Sequence, residues 1–241
     1  MNKVKVGFFS FTEITDPSEH RSYNEWHQLD HMPEQYPLPG LAFGQRWVST
    51  PACRAARTVD GPLLAPVHYV TLYLMTEPVQ PTLEAFHALG GRLRELGRFH
   101  EHRRALLSGP FDLTASAAAP RVAISAEAVA YRPNRGVYIV VEDLTGSGVP
   151  TATTVDALLE TDGVAGVWTF VSDAERRSVW RPGHRRVTVC YLDEDPLGVS
   201  ASLDAVVRSR HPHPDAILQA GPWETITPWR WDWFDADPAG A

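Results

Sequence analysis

At 241 residues, 44% hydrophobic and 21% charged, the chain has the composition of a soluble globular protein of one or two domains with length to bury a large core. A formal net charge of −7 without a basic run argues against nucleic acid or an anionic membrane as the main partner. No segment approaches the ~18 apolar residues of a membrane span, and the lysines at the N-terminus precede too short an apolar stretch for a signal peptide.

Val4 to Phe11 is apolar on both faces, as in a strand buried on both sides. Asp16-Pro17-Ser18-Glu19 predicts a helix start, with Asp16 as N-cap, Pro17 at the first helical position and Glu19 reaching back. That helix runs to about Met32, where Pro33 bends or ends it. Leu41 to Ser49 is a second strand after Pro39-Gly40, residues 51–65 read as a surface loop, and Val67 to Met75 is a third strand. Residues 81–104 are helical, because Leu83, Phe86, Leu89, Leu93 and Leu96 recur at steps of three and four. His100 and His102 would then lie at its C-terminus, where positive charge offsets the helix dipole. Gly109-Pro110 leads into a fourth strand.

From Gly136 the pattern repeats. Gly7 to Glu13 reappears at Gly136 to Glu142, Gly40-Leu41-Ala42 at Gly163-Val164-Ala165, Val70-Thr71-Leu72 at Val187-Thr188-Val189, and Gly109-Pro110 at Gly221-Pro222. The offsets are 129, 123, 117 and 112 residues, so order is kept while connections shorten, as in duplicated domains. A short helix around Thr151 to Glu160, strands at Val164 to Ser172 and Val187 to Leu192, and a helix from Leu197 to Arg210 complete the second half. The division is residues 1–114, an Ala/Ser-rich linker 115–134, and residues 135–241. The tail packs Trp229, Trp231, Trp233 and Phe234 together and reads as an aromatic plug or as the lining of a cavity.

A βαββαβ unit is a ferredoxin-like arrangement, α+β, with helices on one sheet face. Apolar residues on both faces say that the other face is covered. The simplest cover for one half is the other, giving a pseudo-dimeric α/β barrel within one chain, with any unfilled space between the sheets becoming a pocket. Cys53 and Cys190 form no CxxC pair, which fits a reducing, cytoplasmic setting; Cys190 reads as core and a disulfide between the two stays open.

The first predicted helix carries the chemistry. At 100° per residue Tyr23, His27, Asp30, His31 and Glu34 share one stripe, and Trp26, Leu29, Pro33 and Tyr36 share a core stripe. The polar stripe is either a solvated face or a site in which imidazoles move protons and a carboxylate fixes a tautomer. No lysine or arginine lies between Ser22 and Gln45. Strand alternation puts Gln45 and Trp47 on one face and Arg46 on the other; His68 and Tyr73 also lie on opposite faces, and which face meets the helix is open. His184, in the basic stretch Arg176 to Arg186, reads as solvated, and His211 to Pro214 as a turn.

Tyr23-Asn24-Glu25-Trp26-His27, then Asp30-His31-Met32-Pro33-Glu34, then Leu38-Pro39-Gly40-Leu41 and a strand containing Arg46, resembles the EthD-like branch of the dimeric α/β-barrel superfamily. The resemblance implies the barrel, which most members build from two chains. For function it implies a range: cofactor-free monooxygenases, lactone isomerases, polyketide cyclases and haem enzymes. The second half has no counterpart to Tyr23, His27 or His31, so one site is expected.

The first expectation is a cofactor-independent isomerase, lyase or cyclase acting on a small apolar or aromatic molecule, with no other partner and as monomer or homodimer. His31 is the base or acid, His27 and Tyr23 are donors to an oxyanion, and Asn24, Trp47, His68, Arg46 and Tyr73 bind substrate. The alternatives are a divalent metal on His27 and His31, whose spacing puts both imidazoles on one helical face, or haem, or a non-catalytic protein that holds a hydrophobic ligand.

Overall fold

The computed structural model describes residues 2–145, 152–172, 180, 182–211 and 214–235, without the side chains of 152–154. Its first half runs β1 (Val4–Ile14), a 3-10 turn (Pro17–Glu19), α1 (His20–Trp26), a π turn (His27–His31), α2 (Met32–Gln35) and β2 (Leu41–Val48). It continues through α3 (Pro51–Ala55), β3 (Val59–Asp60), β4 (Tyr69–Thr76), α4 (Val79–Glu95) and β5 (Arg103–Ala118). The second half runs β6 (Gly136–Asp143), α5 (Ala152–Leu159), β7 (Val164–Val171), β8 (Arg185–Leu192), α6 (Pro196–Arg210) and β9 (Ile217–Thr225). The strands lie in the order β2-β4-β1-β5-β7-β8-β6-β9, and β9 returns to β2 through Trp47↔Thr225 and Val48↔Glu224. The result is an antiparallel eight-stranded barrel, with β3 covering the rest of the β9 edge that β2 leaves open. No described helix is long and apolar enough to cross a membrane.

The space between the two halves is full. Phe9, Phe11, Trp47, Val70, Leu72 and Phe111 meet Ile139, Trp168, Phe170, Val189, Tyr191 and Trp223 in one buried cluster, and Phe9 sets its edge on Phe111 at 5.4 Å and on Phe170 at 5.1 Å. These aromatic side chains, worth roughly 1.5–3 kcal/mol each when fully buried, occupy the space between the sheets where the sequence led us to expect a pocket. Cavities lie instead on the outer face of the first sheet, beneath the helices.

Register refines the internal correspondence. Phe9 faces Leu72 and Gly109, whereas Ile139 faces Val189 and Gly221, so the first strands match at an offset of 130, not 129. A one-residue slip exchanges the faces: Phe8, Ser10 and Thr12 correspond to Tyr138, Val140 and Glu142, all facing helices. Two bulges also coincide. One lies between Phe11 and Thr12 and between Val141 and Glu142, the other between Leu41 and Phe43 and between Val164 and Gly166.

Several boundaries differ from expectation. α4 stops at Glu95 because Gly97, at φ +68°, caps it: Arg98 N–H bonds Leu93 O at 2.8 Å and Gly97 N–H bonds Arg94 O at 3.0 Å. His100 and His102 thus lie in a turn, not at a helix end. β5 pairs with β1 over its first part and with β7 over Asp112 to Ala118, so the start of the expected linker is a strand that joins the halves. Residues 51–65 are not a loose loop. Cys53 is buried, and Arg57 donates to Asp60, Ser49 Oγ and three carbonyls. Both cysteines are free. The expected helix start at Thr151, most of the stretch from Arg176, and Pro212 and His213 lie outside the described residues; His184 is exposed.

Candidate functional site

Asp16 does cap the first helix, its carboxylate accepting from Ser18 N–H at 2.9 Å. Glu19 turns to Ser22 and His100 instead of closing a capping box. The helix then widens: Met32 N–H bonds back to His27 O, five residues earlier, and His27–His31 forms a π turn. Such turns shift the faces of a helix and recur at functional sites. The expected core stripe is not the buried one. Leu29 and Tyr36 are each 46% exposed, while Tyr23 and His27 are buried. The tail supports the helix from behind, with Phe234 stacked on His20 at 3.8 Å and Trp231 Nε1 donating to Gln28 Oε1 at 2.8 Å, which makes it the plug.

Between this helix, α4 and the sheet lies a cleft of about 390 Å³, within the range of small-molecule sites. Its floor is graded along the strands. Phe8 sits beside Tyr73; next come Ser10, Thr71 and Ser108 in register; beyond Thr12 and Ala105 comes Arg103, opposite Ile14. His27 lies over the middle row, its Nε2 3.3 Å from Thr71 Oγ1. His31 meets it edge-on at 5.1 Å and stacks on Trp26 at 4.6 Å. Gly90 and Gly91 of α4 form part of the wall, and a Cβ added to either would meet nothing within 4 Å.

Polar atoms converge here without partners. Nδ1 of His27 and of His31, Gln35 Oε1, the Tyr73 hydroxyl and Arg103 Nε are all buried and unbonded, a concentration that native interiors avoid unless a ligand or water completes it. Burial, reinforced by Arg46 and Arg103, lowers the His27 pKa well below the usual value and takes that of His31 to about 3. Both rings are therefore neutral near pH 7. Burial raises the Tyr73 pKa, keeping its proton on oxygen. The carboxylates expected to hold a ring do something else: Asp30 and Glu34 both bind Arg98, at 2.9 and 2.7 Å.

Of the residues selected from sequence, His27, His31 and Tyr73 come together in the cleft. Tyr23 is buried behind it against Tyr69, with Arg46 over its ring at 5.3 Å. Asn24 is committed to structure: its Nδ2 donates to His20 O and Tyr69 Oη, and its Oδ1 accepts from Arg46 Nη2 at 2.9 Å. Arg46 lines a second hollow of about 330 Å³ on the other flank of the helix. Its Nε and Nη1 are buried without partners. Trp47 points into the barrel and donates to Asn134, because strand alternation turns it away from Arg46. His68 accepts from Ile14 N–H at 3.1 Å and packs on His20 and Phe234; it is no part of the cleft lining. Sequence reasoning missed Ser10, Phe86, Arg94, Phe99 and Arg103. Signals existed in Ser10 and Thr12 alternating with phenylalanines, and in a Gly90-Gly91 pair inside a helix, where each glycine costs about 1 kcal/mol.

The donor set does not fit a divalent metal. Among the described residues no group of three histidine, cysteine or acidic side chains is placed to hold one, and the charges bearing on His27 and His31 are guanidinium groups.

No family model and no curated protein sequence matches the chain. Solved structures match its shape. A protein described as a candidate chlorite dismutase aligns with a TM-score of 0.55 at 9% identity, over 97% of this chain and 98% of its own. An anthrone oxidase-like protein aligns at 0.53 and 10% identity, over 94% and 92%. The likeness is one of fold, the dimeric α/β barrel, here closed by a single chain.

Proposed function

We propose that the cleft is the active site of a cofactor-independent enzyme that moves a proton on a small, largely aromatic molecule. The observation that carries this reading is the pair of neutral imidazoles with buried, unbonded nitrogens facing an unbonded tyrosine hydroxyl. His31 takes the proton of an activated C–H bond, and the electron pair of that bond moves onto a neighbouring carbonyl oxygen. Tyr73 takes the donor role that sequence gave to Tyr23, and stabilises that oxyanion. Returning the proton to another carbon gives an isomerase; expulsion of a leaving group or attack on a second carbonyl gives a lyase or cyclase; reaction with oxygen gives a cofactor-free monooxygenase. His27, tied to Thr71, fixes the orientation of His31. A positioned base contributes ~10²–10⁴-fold.

The coinciding bulges support a tandem duplication, and the motif around His31 supports the EthD-like branch. A barrel closed within one chain needs no second subunit, so a monomer suffices, in the cytoplasm that two free cysteines suit. The names of the two fold neighbours are those of small-molecule enzymes.

The test is deuterium exchange into anthrone and related aryl ketones in D2O, followed by NMR, with metal content and visible absorbance measured on the same sample. Wild type should catalyse exchange after EDTA treatment, without a haem band, and His31→Ala should lose it at an unchanged Tm. Full exchange by a folded His31→Ala protein, or activity that vanishes with the metal, refutes the assignment.

A further inference from the structure

On the footing that the cleft is an active site, we propose that its substrate is an aromatic acid, with its ring against Phe8, Phe86 and Trp180 and its carboxylate facing Arg94 and Arg103. The gradation of the floor carries this. At one end Phe8 meets Phe86 at 4.7 Å and Trp180 at 4.8 Å, and Tyr73 meets Phe86 at 5.4 Å. These edge and tilted contacts build an apolar slot for a flat ring.

At the other end two guanidinium groups share Phe99, Arg94 at 4.7 Å and Arg103 at 5.3 Å from its centroid. A guanidinium resting on a ring satisfies none of its five N–H donors. Among the described residues neither makes an ion pair, and Arg103 Nε is buried and unbonded. Desolvation lowers the Arg103 pKa, which shows the cation to be held at a cost. In a chain of net charge −7, no aspartate or glutamate among the described residues lines the cleft. The surroundings of the pair thus select an anion, and the fork geometry of arginine suits a carboxylate. His31 links the ends, its ring 5.3 Å from Phe99, so the acidic C–H lies between arene and carboxylate. A bound carboxylate also offsets the guanidinium charge that weakens His31 as a base, so binding of the acid prepares the proton transfer.

Calorimetry with 2-naphthoate and its neutral analogue 2-naphthamide tests the proposal without turnover. Wild type should bind the acid at least about tenfold more tightly than the amide, with the preference shrinking as salt is raised. Arg94→Gln, at an exposed position that keeps the fold, should lose part of the preference, and the R94Q/R103Q double variant nearly all of it, with amide affinity unchanged. Equal affinity for acid and amide, or a preference that survives in R94Q/R103Q, overturns the aromatic acid and leaves the proton-transfer reading standing. Failure of wild type to bind either compound overturns both.

Discussion

The two halves share strand order, bulges and helix placement, yet among the described residues it is the first that encloses a cleft. Over the first sheet, Ser10, Thr71 and Ser108 form the floor and Gly90 opens the wall. At matching positions of the second half stand Thr188, which is buried, and Val140, Ala220 and Val207, which pack with Leu203 and Tyr138 into a buried cluster. The buried charges differ as well. Glu142 accepts from Arg186 at 2.9 Å and meets His211 at 2.8 Å, so these buried charges pair within that half. Among the described residues, the first half leaves Arg46 and Arg103 without carboxylates. Over the described second sheet these positions are packed as a core, and over the first they are left open for something to complete them.

The largest test of this contrast is pH. His20, His27, His31, His68 and His100 all belong to the first half, and burial lowers the pKa of each, to about 4 for His20 and about 3 for His31 and His68. Above pH ~6.5 they are neutral folded or unfolded. As pH falls below that, the unfolded chain takes up protons that the folded one refuses, so stability drops until the folded values are reached. The slope is on the order of 1.4 kcal/mol per pH unit for each histidine. Urea unfolding between pH 6.5 and 4 should show it, and the H27Q/H31Q double variant should flatten it by about two-fifths; a flat profile in wild type contradicts the burial.

Glu142→Gln, which strands Arg186 in the second half, should cost about 3–5 kcal/mol by urea unfolding. A loss under ~1 kcal/mol would show that this triad is not the tight internal pair described. Gly90→Val imports the wall of the second half into the first. It should weaken 2-naphthoate binding by about tenfold or more (1.4 kcal/mol) while Tm stays level or rises, since a helical glycine is replaced. Unchanged binding would place the ligand elsewhere. The smallest effect is expected from Arg46→Met: it removes a buried cation that has no carboxylate, together with one hydrogen bond to Asn24, so stability should stay within about 1 kcal/mol.

Much of the fold was legible. Alternation and turn residues located the strands, and the internal repeat implied two βαββαβ units. His27 and His31 stood out because titratable groups crowd one short segment. Their surroundings were not legible. The π turn changes helix faces without any sequence mark, so Leu29 and Tyr36 were misread as core. Arg103 looked like part of a helix until Gly97 was seen to cap it. Trp47 and Arg46 alternate on a strand whose two faces are both buried, and hydrophobicity alone cannot say which meets the helix.

What the sequence determined by itself is local: where strands and helices form, that the pattern occurs twice, and that imidazoles concentrate in one copy. These follow from backbone preference and periodicity, which act over a few residues. The tertiary structure decided which side of the sheet is hollow, which charges go unpaired and which aromatic groups meet across the cleft. Those depend on side-chain volumes from distant segments filling one space and leaving another empty.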